Sequence, residues 1–159
     1  MKENTTNVVF SHKSDHWQTP KEIYNYYVNR YHYVDPTPFH CEEDNSQKDF
    51  GNVNLYINPP YSDINTWVDY ALNHCKKYRK KVVLLVPSRT DTKWFQNLLT
   101  HPDYDVKFAF FKGRLKFVAD ESEKPNSAPF PSVLITIRKV GRYGYGEKQI
   151  ISTTLDDYK

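Results

Sequence analysis

The sequence predicts a three-layer α/β sandwich built on a largely parallel sheet. Three observations lead there. Short apolar runs at 53–57, 81–86, 106–111 and 132–137 alternate with segments whose apolar residues recur at helical spacing. One such helical segment, from Ile64 to Cys75, lies between two of the runs and is long enough to carry the chain back across the sheet, which makes those two strands parallel. The first two runs stop at prolines, Asn58-Pro59-Pro60-Tyr61 and Pro87, where a strand ladder has to end.

Composition agrees with one folded unit. At 159 residues the chain has room for a real core but not for a separate reading domain beside a second one. Hydrophobic residues make up 38% and aromatics 16%, so rings carry much of the apolar surface, which suits a globular domain and not disorder. The net charge of +3 permits a polyanionic partner without demanding one. Cys41 and Cys75 form no CxxC pair and there is no histidine cluster at metal spacing, so reduced thiols and no metal are expected. The N-terminal stretch has no apolar signal region, which points to a cytoplasmic protein.

Residues 1–16 are polar and unpatterned, an expected flexible arm before a single domain over 17–139. Thr19-Pro20-Lys21-Glu22 reads as a helix start, with Thr19 as cap, Pro20 in the first turn and Glu22 reaching back in a capping box; the helix runs to about Arg30. Tyr31–Val34 is a short strand candidate, ended by Asp35-Pro36-Thr37-Pro38, where Asp35 before a proline also reads as a turn-starting residue. From 39 to 52 the chain is acidic and irregular, before the strand at 53–57.

Asp63 is a natural cap for the helix bearing Ile64, Trp67, Val68, Ala71, Leu72 and Cys75 on one face. Lys76, Lys77, Arg79, Lys80 and Lys81 gather at its end, where the helix dipole favours cations; that outweighs a DNA contact as their explanation. A strand buried on both faces follows, then a helix over 92–99, a strand over 106–111, Gly113-Arg114-Leu115-Lys116-Phe117, a polar loop, and a last strand over 132–137. The tail, 140–159, is polar with no core signature.

Ligands of such sheets sit beyond the carboxyl ends of the strands, and Asp35, Asn58 and the Pro87–Asp91 segment all fall there. The Asn58 loop has a specific chemistry. The exocyclic amine of a base such as adenine is a poor nucleophile, because its lone pair is delocalised into the ring. The amide oxygen of Asn58 and the carbonyl of Pro59 can each accept one N–H, favouring a pyramidal nitrogen. Pro60 stiffens the loop, and Tyr61 offers a flat face on which an extruded base can stack. Against this stands ordinary strand punctuation by two prolines.

Six landmarks in order carry a resemblance: Ser14-Asp15-His16-Trp17-Gln18-Thr19-Pro20, Asp35-Pro36, Asn58-Pro59-Pro60-Tyr61, Pro87 to Phe95, Gly113 to Phe117, and Ala128-Pro129-Phe130-Pro131-Ser132. Over residues 14–138 the chain resembles the small phage-type DNA N6-adenine methyltransferases, a Dam-like family with an abbreviated Rossmann-like fold that uses S-adenosylmethionine. The resemblance implies that Asn58, Pro59, Pro60 and Tyr61 form the catalytic loop. It implies that Trp17, Thr19 and Pro20 lie against the cofactor's methionine part, with Thr19 bonding its carboxylate, and that Asp35 with Pro36 lies near its ammonium or ribose. Arg89, Thr90 and Asp91 would border the substrate, Arg114 and Lys116 would contact phosphates, and Phe117 would wall the flipped base, its alternative being a core residue at an alternating strand edge. DNA is then the partner, with no membrane and no metal.

Two departures stand out. No glycine-rich turn precedes Asp35, and only 22 residues separate it from Asn58, too few for the strand that usually carries a ribose-binding acid. Asp44, Asn45 and Asp49 are the possible substitutes. Rival readings are another amine acceptor (cytosine N4, RNA adenine, a protein glutamine), a non-catalytic nucleic-acid-binding or interaction module on the same fold, and a plain structural domain.

Overall fold

The computed structural model of the protein describes residues 16–39, 41–117 and 126–159. The expected N-terminal arm up to residue 15, with the landmark residues Ser14 and Asp15, lies outside them, as does most of the loop after Phe117. The first helix, α1, is Lys21–Tyr24 continued by a π-helical segment, Asn25–Arg30, that closes with Tyr31 N–H donating to the Tyr26 carbonyl. Arg30 ends it as expected. The capping box does not form: Pro20 is the cap residue and no side chain caps the helix, because the Thr19 hydroxyl is engaged elsewhere. The strand expected over Tyr31–Val34 shrinks to one parallel bridge, Val34 to Leu55, since the π segment carries Tyr33 N–H back onto the Tyr27 carbonyl.

Strand β1 (Leu55–Ile57) leads through a 3₁₀ turn, Tyr61–Asp63, into α2 (Ile64–Tyr78), then β2 (Val82–Pro87), α3 (Lys93–Thr100) and β3 (Tyr104–Phe111). A two-residue pair, β4 (Lys116–Phe117) with β5 (Asn126–Ser127), precedes β6 (Ser132–Lys139). Arg79 ends α2 in the left-handed region (φ 56°), and its guanidinium donates to the Val140 carbonyl. Lys77 pairs with Asp49. At least these two of the basic cluster therefore have structural partners.

The tail differs from expectation. Residues 148–153 form β7 (Lys148–Thr153), parallel to β3, and a 3₁₀ turn, Leu155–Tyr158, packs Leu155 and Tyr158 against the core. Sequence periodicity missed β7 because an edge strand with both faces open has no apolar alternation to show.

The main sheet has five strands in the order β1-β2-β6-β3-β7. It is mixed, which corrects the expected largely parallel sheet: β1 with β2 and β3 with β7 are parallel, whereas β6 runs antiparallel between β2 and β3. The apolar runs 82–86 and 132–137 look alike in sequence because burial on both faces erases strand direction. Alternation sorts the side chains into two layers. Leu55, Ile57, Val82, Leu84, Val86, Val133, Ile135 and Ile137 meet α2 and α3 on one face; Tyr56, Val83, Leu85 and Leu134 meet Ile23 and Tyr27 of α1 and Phe117 on the other. Burying each such aliphatic side chain contributes about 1.5–3 kcal/mol. That leaves the carboxyl ends of β1 and β2 rigidly placed at one rim.

Candidate active site

The rim is organised around Asn58, which follows β1 and is 2% exposed. Four hydrogen bonds hold it. Its backbone N–H donates to Thr37 Oγ1 (3.0 Å), and its carbonyl accepts from His16 Nε2 (3.1 Å), which fixes the tautomer of that ring. Its side-chain Nδ2 donates to the Trp17 carbonyl (2.5 Å) and to Thr19 Oγ1 (3.2 Å). Both amide hydrogens are therefore used on protein acceptors. Asn58 Oδ1 is buried and has no partner among the described residues. An uncompensated buried acceptor costs about 1–3 kcal/mol, so this oxygen is the amide atom left with hydrogen-bonding capacity to use.

Asp35 is tied into the same assembly. Its Oδ1 accepts from the Thr37 N–H (2.8 Å) and the Thr37 hydroxyl (3.1 Å), so the Asp-Pro-Thr turn expected from sequence forms and also carries Asp35 toward Asn58. Burial pushes the Asp35 carboxyl up to about 6, with the two Thr37 hydrogen bonds opposing that rise.

A cavity of about 710 Å³ opens on this assembly, lined among others by Trp17, Thr19, Pro20, Asp35, Asn58 and Lys116. A smaller one of about 330 Å³ shares His16, Thr37 and Pro38 with it and is lined also by Pro36, Glu42, Asp44, Asn45 and Pro60. Asn45, likewise buried, donates to the Pro36 carbonyl (2.8 Å) while its Oδ1 has no partner among the described residues.

Several expected residues are placed differently. Thr19 does not present a free hydroxyl to the cavity: Oγ1 accepts from Asn58 and exchanges a hydrogen bond with Tyr56 OH (3.1 Å). Tyr61 is not an open plate. It is 7% exposed, with the Phe130 ring edge-on to it at 5.2 Å between centroids. Phe117 is 1% exposed and packs against Trp17 and Phe130, so it is core and not a free wall. Arg89, Thr90 and Asp91 are exposed on the turn after β2; the positive charge of Arg89 reaches Tyr61, whose phenol burial nevertheless raises. They line neither of these two cavities, so the expected single cleft unites Asp35 with Asn58 only. Arg114 and Lys116 are exposed, Lys116 at the larger cavity.

Sequence reasoning passed over Thr37, Tyr56 and Phe130 as working residues. Tyr56 had a visible signal: it is the side chain of β1 facing opposite to Leu55 and Ile57, two residues before Asn58. Thr37 and Phe130 had none, since their roles depend on neighbours about twenty residues away or more. Among the described residues no group of three or more His, Cys, Asp or Glu is placed to hold a metal, and no helix is long and apolar enough to cross a membrane.

Comparison with known proteins gives the family of the chain. A family model described as DNA N-6-adenine-methyltransferase (Dam) matches residues 6–157. No curated protein and no solved structure matches the chain. Of the acceptors that the Asn58 loop would suit, adenine in DNA is the one this family methylates. With nearly its whole length matched, the chain belongs to the Dam family and is an S-adenosylmethionine-dependent, adenine-specific DNA methyltransferase.

Proposed function

We propose that methyl transfer takes place at Asn58 Oδ1, with the target adenine extruded from DNA so that its amine meets that oxygen and the Pro59 carbonyl. What supports this reading is the orphaned acceptor: with Nδ2 donating to Trp17 and Thr19, the oxygen is the amide atom left to take an N–H from a ligand. S-adenosylmethionine, when bound, supplies a methyl group already activated by its sulfonium. The protein's part is to align the amine and hold its hydrogens on acceptors already in place.

The residues present fit the cofactor. The larger cavity offers the Asp35 carboxylate to its ammonium beside Trp17 and Pro20. The smaller cavity suits its nucleoside, with Asn45 Oδ1 as acceptor. Of the three substitutes for the missing ribose-binding acid, Asp49 is committed to Lys77 and Tyr78 and Asp44 caps Ser46, which leaves Asn45 as the buried, unsatisfied one. Arg89, Thr90, Asp91, Arg114 and Lys116 are the DNA-facing groups, as positions that contact backbone more than bases.

Asp35 supplies a pH test. A carboxyl raised from its ordinary 3.8 to about 6 is neutral in the ligand-free protein at low pH, so it favours the fold fully below 3.8, and that contribution is lost as pH rises through about 6. Pairing with a cation needs the ionised form and runs the other way. Affinity for S-adenosylhomocysteine, measured by calorimetry, is expected to be about tenfold weaker at about pH 5 than at about pH 7, with proton release on binding between those values, and Asp35→Asn should abolish the pH dependence. Equal affinity at both values would remove Asp35 from the cofactor site.

Phe130 supplies a second test, because stacking a base on Tyr61 requires that ring to move aside. With 2-aminopurine at the target position, Phe130→Ala is expected to raise the fluorescence of the enzyme–DNA complex several-fold by freeing the Tyr61 face. A fall in extrusion would instead make Phe130 the stacking surface and dismiss the Tyr61 role.

A further inference from the structure

We propose that β7 is a docking edge for a second copy of this chain, the two strands pairing antiparallel about Ile150 so that two five-stranded sheets become one. β7 ends the strand order, next to β3. The opposite edge, β1, is partly covered by the Val34 bridge. On β7 the carbonyls of Glu147 and Thr153 accept from Val106 and Lys112, on the β3 side. Alternation by two then turns the backbone N–H and C=O of residues 148, 150 and 152 outward. Among the described residues that edge pairs with no strand, and Ile150, its middle residue, is 65% exposed.

Natural edge strands are usually guarded by an exposed lysine, a proline or a bulge. β7 has no proline, and its one charged residue does not guard it. The Lys148 ammonium folds inward onto the carbonyls of His101 (2.8 Å), Tyr104 (2.8 Å) and Gly146 (3.1 Å). From Gln149 to Thr154 the strand carries no charge. A two-fold interface requires a patch that is its own complement. Centred on Ile150, the antiparallel register sets Lys148 opposite Ser152 and Gln149 opposite Ile151, and Ile150 meets its own copy. No like charges face one another, and the exposed isoleucine loses its contact with water. A partner of opposite charge would have nothing on this strand to answer, which favours the identical copy.

Sedimentation of the full chain at tens of micromolar is the test. A dimer is expected, and two variants should halve its mass while circular dichroism stays native. Ile150→Lys places a charge against its own copy at the dyad, and Ser152→Pro removes an outward N–H without touching the ladder to β3. Methyl transfer per chain should persist in both, because β7 lies outside the Asn58 site. A wild-type monomer throughout that range overturns the proposal, and so does a dimer that survives both substitutions.

Discussion

Replacing Asn58 by alanine is expected to lower single-turnover methylation of DNA by about 10²–10³-fold, the usual effect of deleting one preorganised polar group from a reacting centre. The structure gives this residue two separate duties. Its Oδ1 is the unpartnered acceptor, and its Nδ2 ties the Trp17 carbonyl and the Thr19 hydroxyl to the loop. Alanine removes both: losing the Nδ2 bonds costs on the order of 1–3 kcal/mol, and losing the unpartnered oxygen relieves a cost of similar size, so stability should change little while the rate falls. A companion variant separates them. Thr19→Val keeps Asn58 and removes one of the two acceptors that orient its amide, so the rate should fall by about tenfold, far less than in the alanine variant. Calorimetry with S-adenosylhomocysteine should show binding within a few-fold of wild type for Asn58→Ala. Wild-type turnover in that variant would mean that the amine is activated somewhere else.

Gly146→Ala is expected to be the most damaging glycine-to-alanine change in this protein. A Cβ at this position would sit on the Tyr104 carbonyl, 2.7 Å from its carbon and 2.9 Å from the Tyr104 nitrogen. Those are backbone atoms inside β3, which cannot rotate away as a side chain can. The Gly146 N–H also donates to the Pro102 carbonyl (2.6 Å), and its own carbonyl accepts from Lys148, so retreat would break both contacts. A destabilisation of about 3 kcal/mol or more follows, or about 10 °C in the thermal midpoint for a chain of this size. Gly141→Ala is the control, since nothing lies within 4 Å of a Cβ there. Equal melting of the two variants would show that the 141–147 loop is free to shift, and that β7 does not depend on this close approach.

These two positions mark how far the sequence could be read. Asn58 was legible because its chemistry is local: a strand, two prolines and an aromatic stand in consecutive positions, and each has a physical reason to be there. Gly146 was not, because a glycine in a polar tail shows its purpose only when the chain it crosses, at Tyr104, is known. The same division runs through the site. Asp35 was found as a turn residue and proved to be one, yet its burial and its link through Thr37 to Asn58 join segments 21 residues apart. Thr19 was read as a helix cap. Asn58 and Tyr56 use its hydroxyl instead, because a buried amide makes the stronger demand on a nearby oxygen than a helix N-terminus that water can solvate.

The sequence by itself determined the alternation of strands and helices, the places where strands stop, and the chemical kind of the Asn58 loop, since these depend on side-chain periodicity and proline geometry along a few residues. The tertiary structure alone decided that β6 runs against its neighbours, that the tail supplies β7, that Phe130 packs on Tyr61, and that the Asn58 amide spends its nitrogen on Trp17 and Thr19 and leaves its oxygen unpartnered among the described residues. Each of these is a choice of partner between segments far apart in the chain, and the energy that selects a partner comes from desolvated contacts that exist only once the core has closed.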